Sequence, residues 1–167
     1  MQVIIRQAET ADAERLVSLM ADAERSGFML FEPGERQIAP DQLSKRIAAV
    51  EQDEKSAILL ADDTGELKGY LFIIGNNPQR TSHSVYLAIG IGEASRGQGV
   101  GTRLFEQLDA WAEEKKIHRL ELTVMIHNRA GVALYQKAGF KIEGIKKNSL
   151  KVNGEYIDEY FMAKLLG

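Results

Sequence analysis

Three glycines on alternate positions stand in the run Arg96-Gly97-Gln98-Gly99-Val100-Gly101-Thr102. Glycine lets a backbone curl and leaves its N–H groups uncovered by side chains. Where such a run opens a helix, the unpaired N–H groups of the first turn and the positive end of the dipole join it. The sum is an anion site, and phosphate suits it best. The same glycines would also serve a tight strand-to-helix corner that binds nothing, and the run alone does not choose. It does exclude two nucleotide readings. A Walker loop needs Lys after its last glycine, whereas Gly101 is followed by Thr102 and Arg103. A dinucleotide fingerprint needs its third glycine at position 102, which is Thr. Glu121 stands about 20 residues on, where a ribose-binding acid is sought, but inside a strand pattern rather than at its end.

Other reactive side chains are few. There are 0 Cys, which removes disulfides, thiolate zinc sites and cysteine nucleophiles. His83, His118 and His127 show no metal-ligand spacing, and no metal is expected. Downstream of the glycines, Asn128 precedes a short helical pattern that carries Tyr135 and stops at Gly139-Phe140. Taken singly, Asn128 is a helix N-cap and Tyr135 a packing residue.

The elements that must hold these residues follow from periodicity. Val3 to Ile5 form a short strand, with Thr10 as the cap of a helix carrying Leu16, Leu19 and Met20. Residues 27–40 make a loop, and Pro40 opens a second helix striped by Leu43, Ile47 and Val50. AILLA (57–61) and YLFII (70–74) flank a hairpin loop, and Val85, Leu87, Ile89 and Ile91 alternate as the strand before the glycines. Leu104, Leu108 and Trp111 then follow at helical spacing. Leu120, Leu122, Val124 and Ile126 alternate as a further strand, and a helix spans 129–138. FKIEGI and EYIDEYFMAKL pair across the Asn153-Gly154 turn. The order β-α-α-β-β-β-α-β-α-β-β puts the chain in the α/β class. A strand-helix-strand passage requires a parallel pair, while the hairpins require antiparallel ones. The expectation is a mixed, mostly antiparallel sheet with helices on both faces, in a single domain over residues 1–167.

Composition sets outer bounds. Of 167 residues, 44% are hydrophobic and 27% charged, and the formal net charge is −3, so no overall positive field favours nucleic acid. No stretch reaches the roughly 20 apolar residues of a membrane helix. The start has too short an apolar run for a signal peptide, which makes cytoplasmic the default address.

Two motifs carry a resemblance. Arg96-x-x-Gly99-x-Gly101, after a strand and opening a helix, is similar to the pyrophosphate-binding motif of the GNAT N-acetyltransferase superfamily. The segment from Asn128 through Tyr135 to Gly139-Phe140 is similar to the same family's N-x-x-A-x-x-L-Y-x-x-x-G-F, with Gly131 where Ala is usual. The element order fits that family over essentially the whole chain.

The resemblance implies acetyl-coenzyme A as cosubstrate and direct acetyl transfer to an amine of a small molecule, an amino acid or a protein N-terminus. Arg96, Gly97, Gln98, Gly99, Val100, Gly101 and Thr102 would hold the pyrophosphate. Ile89 and Ile91 would offer backbone groups to pantetheine and the thioester carbonyl, with Gly90 between them suiting a bulge. Asn128 would hydrogen-bond coenzyme A, and Tyr135 would be the general acid. The general base stays open among Glu32, Glu35, Glu121 and His83. The loop at 28–36 and the last hairpin near Tyr156 to Tyr160 would frame the acceptor, and a homodimer is a reasonable expectation. A different class, a non-catalytic acyl-coenzyme A-binding module, would keep the loop without the chemistry.

Overall fold

Among the described residues, seven strands and four α-helices follow the order that the patterns imply: β1 (Val3–Gln7), α1 (Ala13–Glu24), α2 (Pro40–Glu51), β2 (Ala57–Asp63), β3 (Glu66–Gly75), β4 (Ser84–Ile91), α3 (Val100–Glu114), β5 (Arg119–Met125), α4 (Arg129–Lys137), β6 (Lys141–Val152) and β7 (Glu155–Leu165). The computed structural model describes residues 2–167. All seven strands join one sheet in the order β1-β2-β3-β4-β5-β7-β6. Among the described residues, only the central β4–β5 pair is parallel. α3 crosses between these two strands, as a parallel neighbour requires.

Alternation along the strands divides the core in two. Leu71, Ile73, Val85, Leu87, Leu120, Leu122 and Val124 face one side and pack with Leu104, Phe105 and Leu108 of α3 and Tyr135 of α4. Tyr70 and Phe72 face the other side and pack with Leu16, Leu19 and Met20 of α1 and Leu43 and Ile47 of α2. Helices therefore cover both faces of a mixed, mostly antiparallel sheet.

Local differences from the sequence reading have local causes. The helix entry is held by Asp12 rather than Thr10: Thr10–Asp12 is a single 3-10 turn, and the Asp12 carboxylate accepts the Glu9 N–H at 2.7 Å. β2 and β3 run longer than expected, because the turn between them needs only Thr64 and Gly65, both at positive φ. Ile126 falls just outside β5.

Candidate active site

The glycine run forms the junction from β4 into α3. Gly97 and Gly99 take φ of 73° and 82°, the left-handed region that side chains disfavour. Val100, the first residue of α3, is buried against the sheet, where a methyl added at Gly69 would meet it at 2.9 Å. The loop is thus anchored from below while its backbone stays open above. Among the described residues, none of the N–H groups of residues 97–102 finds an acceptor in the protein. Six successive donors in a curled loop at a helix N-terminus make a strong anion cradle. Gln98 turns its amide back onto the Ala94 carbonyl at 3.0 Å and Arg96 is exposed, so neither side chain fills the cradle. Gly101 serves packing: an added methyl would strike Leu134 of α4 at 2.7 Å.

Beside the cradle the sheet is open. β4 and β5 pair only through Ser84–Arg119, Val85–Leu120 and Tyr86–Glu121, and then diverge. β4 stays in register with β3 throughout, from Gly69–Ile91 to Gly75–Val85. The Gly92 N–H reaches the Lys68 carbonyl at 2.9 Å, which sets the phase of the alternation. Gly90 and Ala88 therefore bond toward β3, while the backbone N–H and C=O of Ile89 and Ile91 face the gap. No bulge occurs at Gly90. Its lack of a side chain is needed for another reason, since the Tyr70 ring lies across it and an added methyl would come within 2.4–2.5 Å of the ring and hydroxyl.

Tyr135 packs on the α3/α4 side of the sheet. Its ring is buried edge-on to Phe105, 5.7 Å between centroids, and close to Phe140. Its hydroxyl has no partner among the described residues and is not sealed. Burial, then the neighbouring Tyr86, pushes its pKa up to about 12, so it remains a proton donor at any ordinary pH. Asn128 caps α4 by accepting the Gly131 N–H at 3.0 Å. Its amide occupies the space above residue 131, where a methyl would meet Nδ2 at 2.6 Å, which is why glycine fits there.

The opposite mouth of the gap is lined from the α1/α2 side. The Tyr86 hydroxyl bonds Thr123 at 2.9 Å just beyond the last β4–β5 pair. The segment 25–39 crosses above it, setting the Phe28 ring at a tilt against His127, 5.3 Å between centroids, and pairing Arg36 with buried Glu24. A cavity of about 40 Å³ separates this segment from β6, lined by Met29, Phe31, Met125, Leu150 and Lys151 among others. The hairpin thus meets the loop through β6. Tyr156 stands exposed on β7 next to the turn, and Tyr160 packs into the core.

Of the four base candidates, Glu32 lines the cavity beside the 25–39 segment, and the other three are held in other contacts. Glu121 is tied to Arg119 at 2.7 Å and Ser84 at 3.1 Å, forming part of the strand pairing. Glu35 accepts the Glu32 N–H in an exposed turn. His83 faces His118 at the start of β4, the far end from the glycines. Conversely, Tyr86 and Thr123 meet just past the β4–β5 pairing, and Tyr70 lies over Gly90 with Glu24 and Arg36 in its neighbourhood, without any motif to mark them. Only Tyr86 had a signal, as the non-core face of an alternating strand.

Comparison with known proteins agrees with this geometry. The profile of the Acetyltransferase (GNAT) family matches residues 6–140. An L-amino acid N-acetyltransferase of Escherichia coli (strain K12), AaaT, is 30% identical over 168 residues, covering 98% of both chains. A [ribosomal protein uS5]-alanine N-acetyltransferase of the same organism is 26% identical, over 97% of this chain and 87% of that one. Among solved structures, a GNAT-family acetyltransferase from Streptococcus pneumoniae superposes with a TM-score of 0.94 at 31% identity, covering 99% of this chain and 100% of the other.

Proposed function

This chain belongs to the GNAT acetyltransferase family and carries acetyl from acetyl-coenzyme A to a primary amine; we propose that the cradle at 96–102, the gap-facing strand edge and Tyr135 divide the work. The observation that carries this reading is the row of six unpartnered N–H groups beside the open β4–β5 gap, with an unpartnered Tyr135 hydroxyl on the α3/α4 side of the sheet.

When bound, acetyl-coenzyme A supplies an acyl group already activated as a thioester. The N–H groups of Gly97 to Thr102 hold its pyrophosphate, with the Thr102 hydroxyl as a further donor and Arg96 beside the loop. Backbone groups of Ile89 and Ile91 pair with the pantetheine arm, as a neighbouring strand would. One of their N–H groups faces the thioester oxygen, where negative charge builds during attack, and such a donor is worth about 3–4 kcal/mol. Asn128, at the head of α4, hydrogen-bonds the same arm. The acceptor enters from the α1/α2 side, as its nitrogen must attack from across the gap. A C–N bond forms and the C–S bond breaks. The amine loses one proton to water, and the sulfur gains one from Tyr135. Having no cysteine, the chain transfers the acetyl group directly rather than through an enzyme thioester.

The whole of residues 1–167 serves as one catalytic domain in this reading, because a single sheet draws strands from both ends of the chain. The cytoplasm, where acetyl-coenzyme A is at hand, is its place of work. Tyr135→Phe tests the assignment, since it keeps the buried ring and removes the proton. Turnover should fall about 100-fold or more, with acetyl-coenzyme A affinity unchanged by calorimetry. Undiminished turnover would remove Tyr135 as the acid.

A further inference from the structure

Two donors near the acceptor side of the gap have nothing to bond. Among the described residues, the Tyr70 hydroxyl and Arg36 Nε are the side-chain polar atoms that are both sealed from solvent and without a hydrogen-bond partner. Tyr70 as a whole is 1% exposed. Natural proteins seldom leave such groups unpaired, so a pair of them asks for a missing partner. Both are held as donors. A guanidinium has no acceptor capacity, and burial raises the Tyr70 pKa so that its hydroxyl keeps its proton.

They share one neighbourhood. The charges of Arg36 and Glu24 both act on the Tyr70 hydroxyl, as does Tyr135 from the other face of the sheet. That hydroxyl lies over Gly90, 2.5 Å from where a methyl at this position would stand. Gly90 sits between Ile89 and Ile91, whose backbone faces the gap. The donors therefore stand next to the reacting centre rather than in a remote corner.

The charge there is also unbalanced. Arg36 binds Glu24, and the Arg46 guanidinium, over the Phe72 ring at 4.8 Å, feels Arg36 as a like charge. Glu24 pairs with Arg36, and among the described residues no carboxylate forms a salt bridge with Arg46. The missing partner is thus a group that only accepts hydrogen bonds, carries negative charge and offers two oxygens.

We propose that Arg36 and Tyr70 hold the α-carboxylate of the acceptor, which makes the acceptor a free amino acid rather than a protein N-terminus. In a peptide that carboxylate is an amide, which brings no charge and replaces one acceptor oxygen with a donor. The free amino acid satisfies both sealed donors and neutralises the surplus charge. Its amine, one carbon away, then lies at the mouth of the gap. Because both donors are covered, the segment 25–39 must lift to admit the ligand. The proposal rests on the acetyltransferase reading and names the acceptor class for that site.

The test is coenzyme A release with each common L-α-amino acid against its own carboxamide. At least one acid should exceed its amide by about 100-fold in kcat/KM. Tyr70→Phe, which keeps the ring over Gly90, should lower that acid-to-amide ratio about tenfold or more, since a hydrogen bond to a charged group is lost. Arg36→Gln should lower it further. A purely structural role would depress acid and amide together and leave the ratio unchanged, which would overturn the proposal. Turnover of amides or peptide N-termini with no preference for acids would also overturn it while leaving the acetyltransferase reading intact. Failure to bind acetyl-coenzyme A in calorimetry would instead defeat that reading, and the proposal with it.

Discussion

The two ends of α1 carry two acid–arginine clusters that look alike in composition and differ in completeness. At the N-terminal end, Asp12 accepts both Nη1 and Nη2 of Arg6 at 2.8 and 2.7 Å, Nη2 of Arg15 at 2.5 Å and the Glu9 N–H at 2.7 Å. Arg6 also donates to Asp62 at 3.0 Å, and Asp62 accepts the Gly65 N–H at 2.7 Å. Both oxygens of the buried acid are used, and the network ties β1, α1 and the β2–β3 turn together. At the C-terminal end, Glu24 pairs with Arg36, yet Arg36 Nε and the nearby Tyr70 hydroxyl remain sealed and unpaired. A satisfied buried network stabilises the fold and specifies it, whereas each sealed unpaired donor costs about 1–3 kcal/mol. The difference separates a structural cluster from one that is finished by a ligand.

The largest effect expected from this contrast is on stability at the closed end. Asp12→Ala strands Arg6 and Arg15 and frees the helix entry, and should cost about 3 kcal/mol in denaturant unfolding, at the low end for a broken buried pair because Arg6 reaches solvent. The surviving folded protein should keep its acetyl-coenzyme A affinity. A mild stability change with lost affinity would break the comparison.

Acid titration should come next in size. Hydrogen bonds from Arg6 first, and also from the Glu9 N–H, hold the Asp12 carboxyl below the usual range. Asp62 is lowered too, through Arg6 and the Gly65 N–H acting against burial. Their contribution is whole above about pH 4, the unfolded value, and fades as pH falls through the depressed folded values. Unfolding free energy measured from pH 6 downward should therefore decline below about pH 4. Asp12→Ala should flatten that decline, and an unaltered slope would remove Asp12 from its cause.

The smallest effect should have the opposite sign. Tyr70→Phe deletes an unpaired buried hydroxyl and leaves the packing over Gly90, so it should raise stability by about 1 kcal/mol while weakening acceptor selection. A loss of stability of that size would mean that the hydroxyl already has a partner.

Much of the arrangement could be read before any coordinates. The spacing of the glycines marked the loop as an anion site and Asn128 as a helix cap, and the family resemblance singled out Tyr135. Period-two and period-3.6 patterns placed every strand and helix in order. The reading failed where contacts join residues far apart in the chain. Glu121 stood among the base candidates, yet β4–β5 pairing brings Ser84 and Arg119 onto it. Gly90 suited a bulge, but its need comes from a tyrosine twenty positions away on the neighbouring strand.

By itself, then, the sequence determined what is local: which segments alternate, where a helix begins with bare N–H groups, and which chemistry those groups can hold. Backbone sterics and nearest-neighbour periodicity act over a few residues and are written directly in them. Only the tertiary structure decided where β4 and β5 part, that Ile89 and Ile91 turn their backbone into the opening, and that Arg36 Nε and the Tyr70 hydroxyl are sealed without a partner. Strand divergence and side-chain satisfaction depend on how distant elements pack, and no short stretch of chain contains that information.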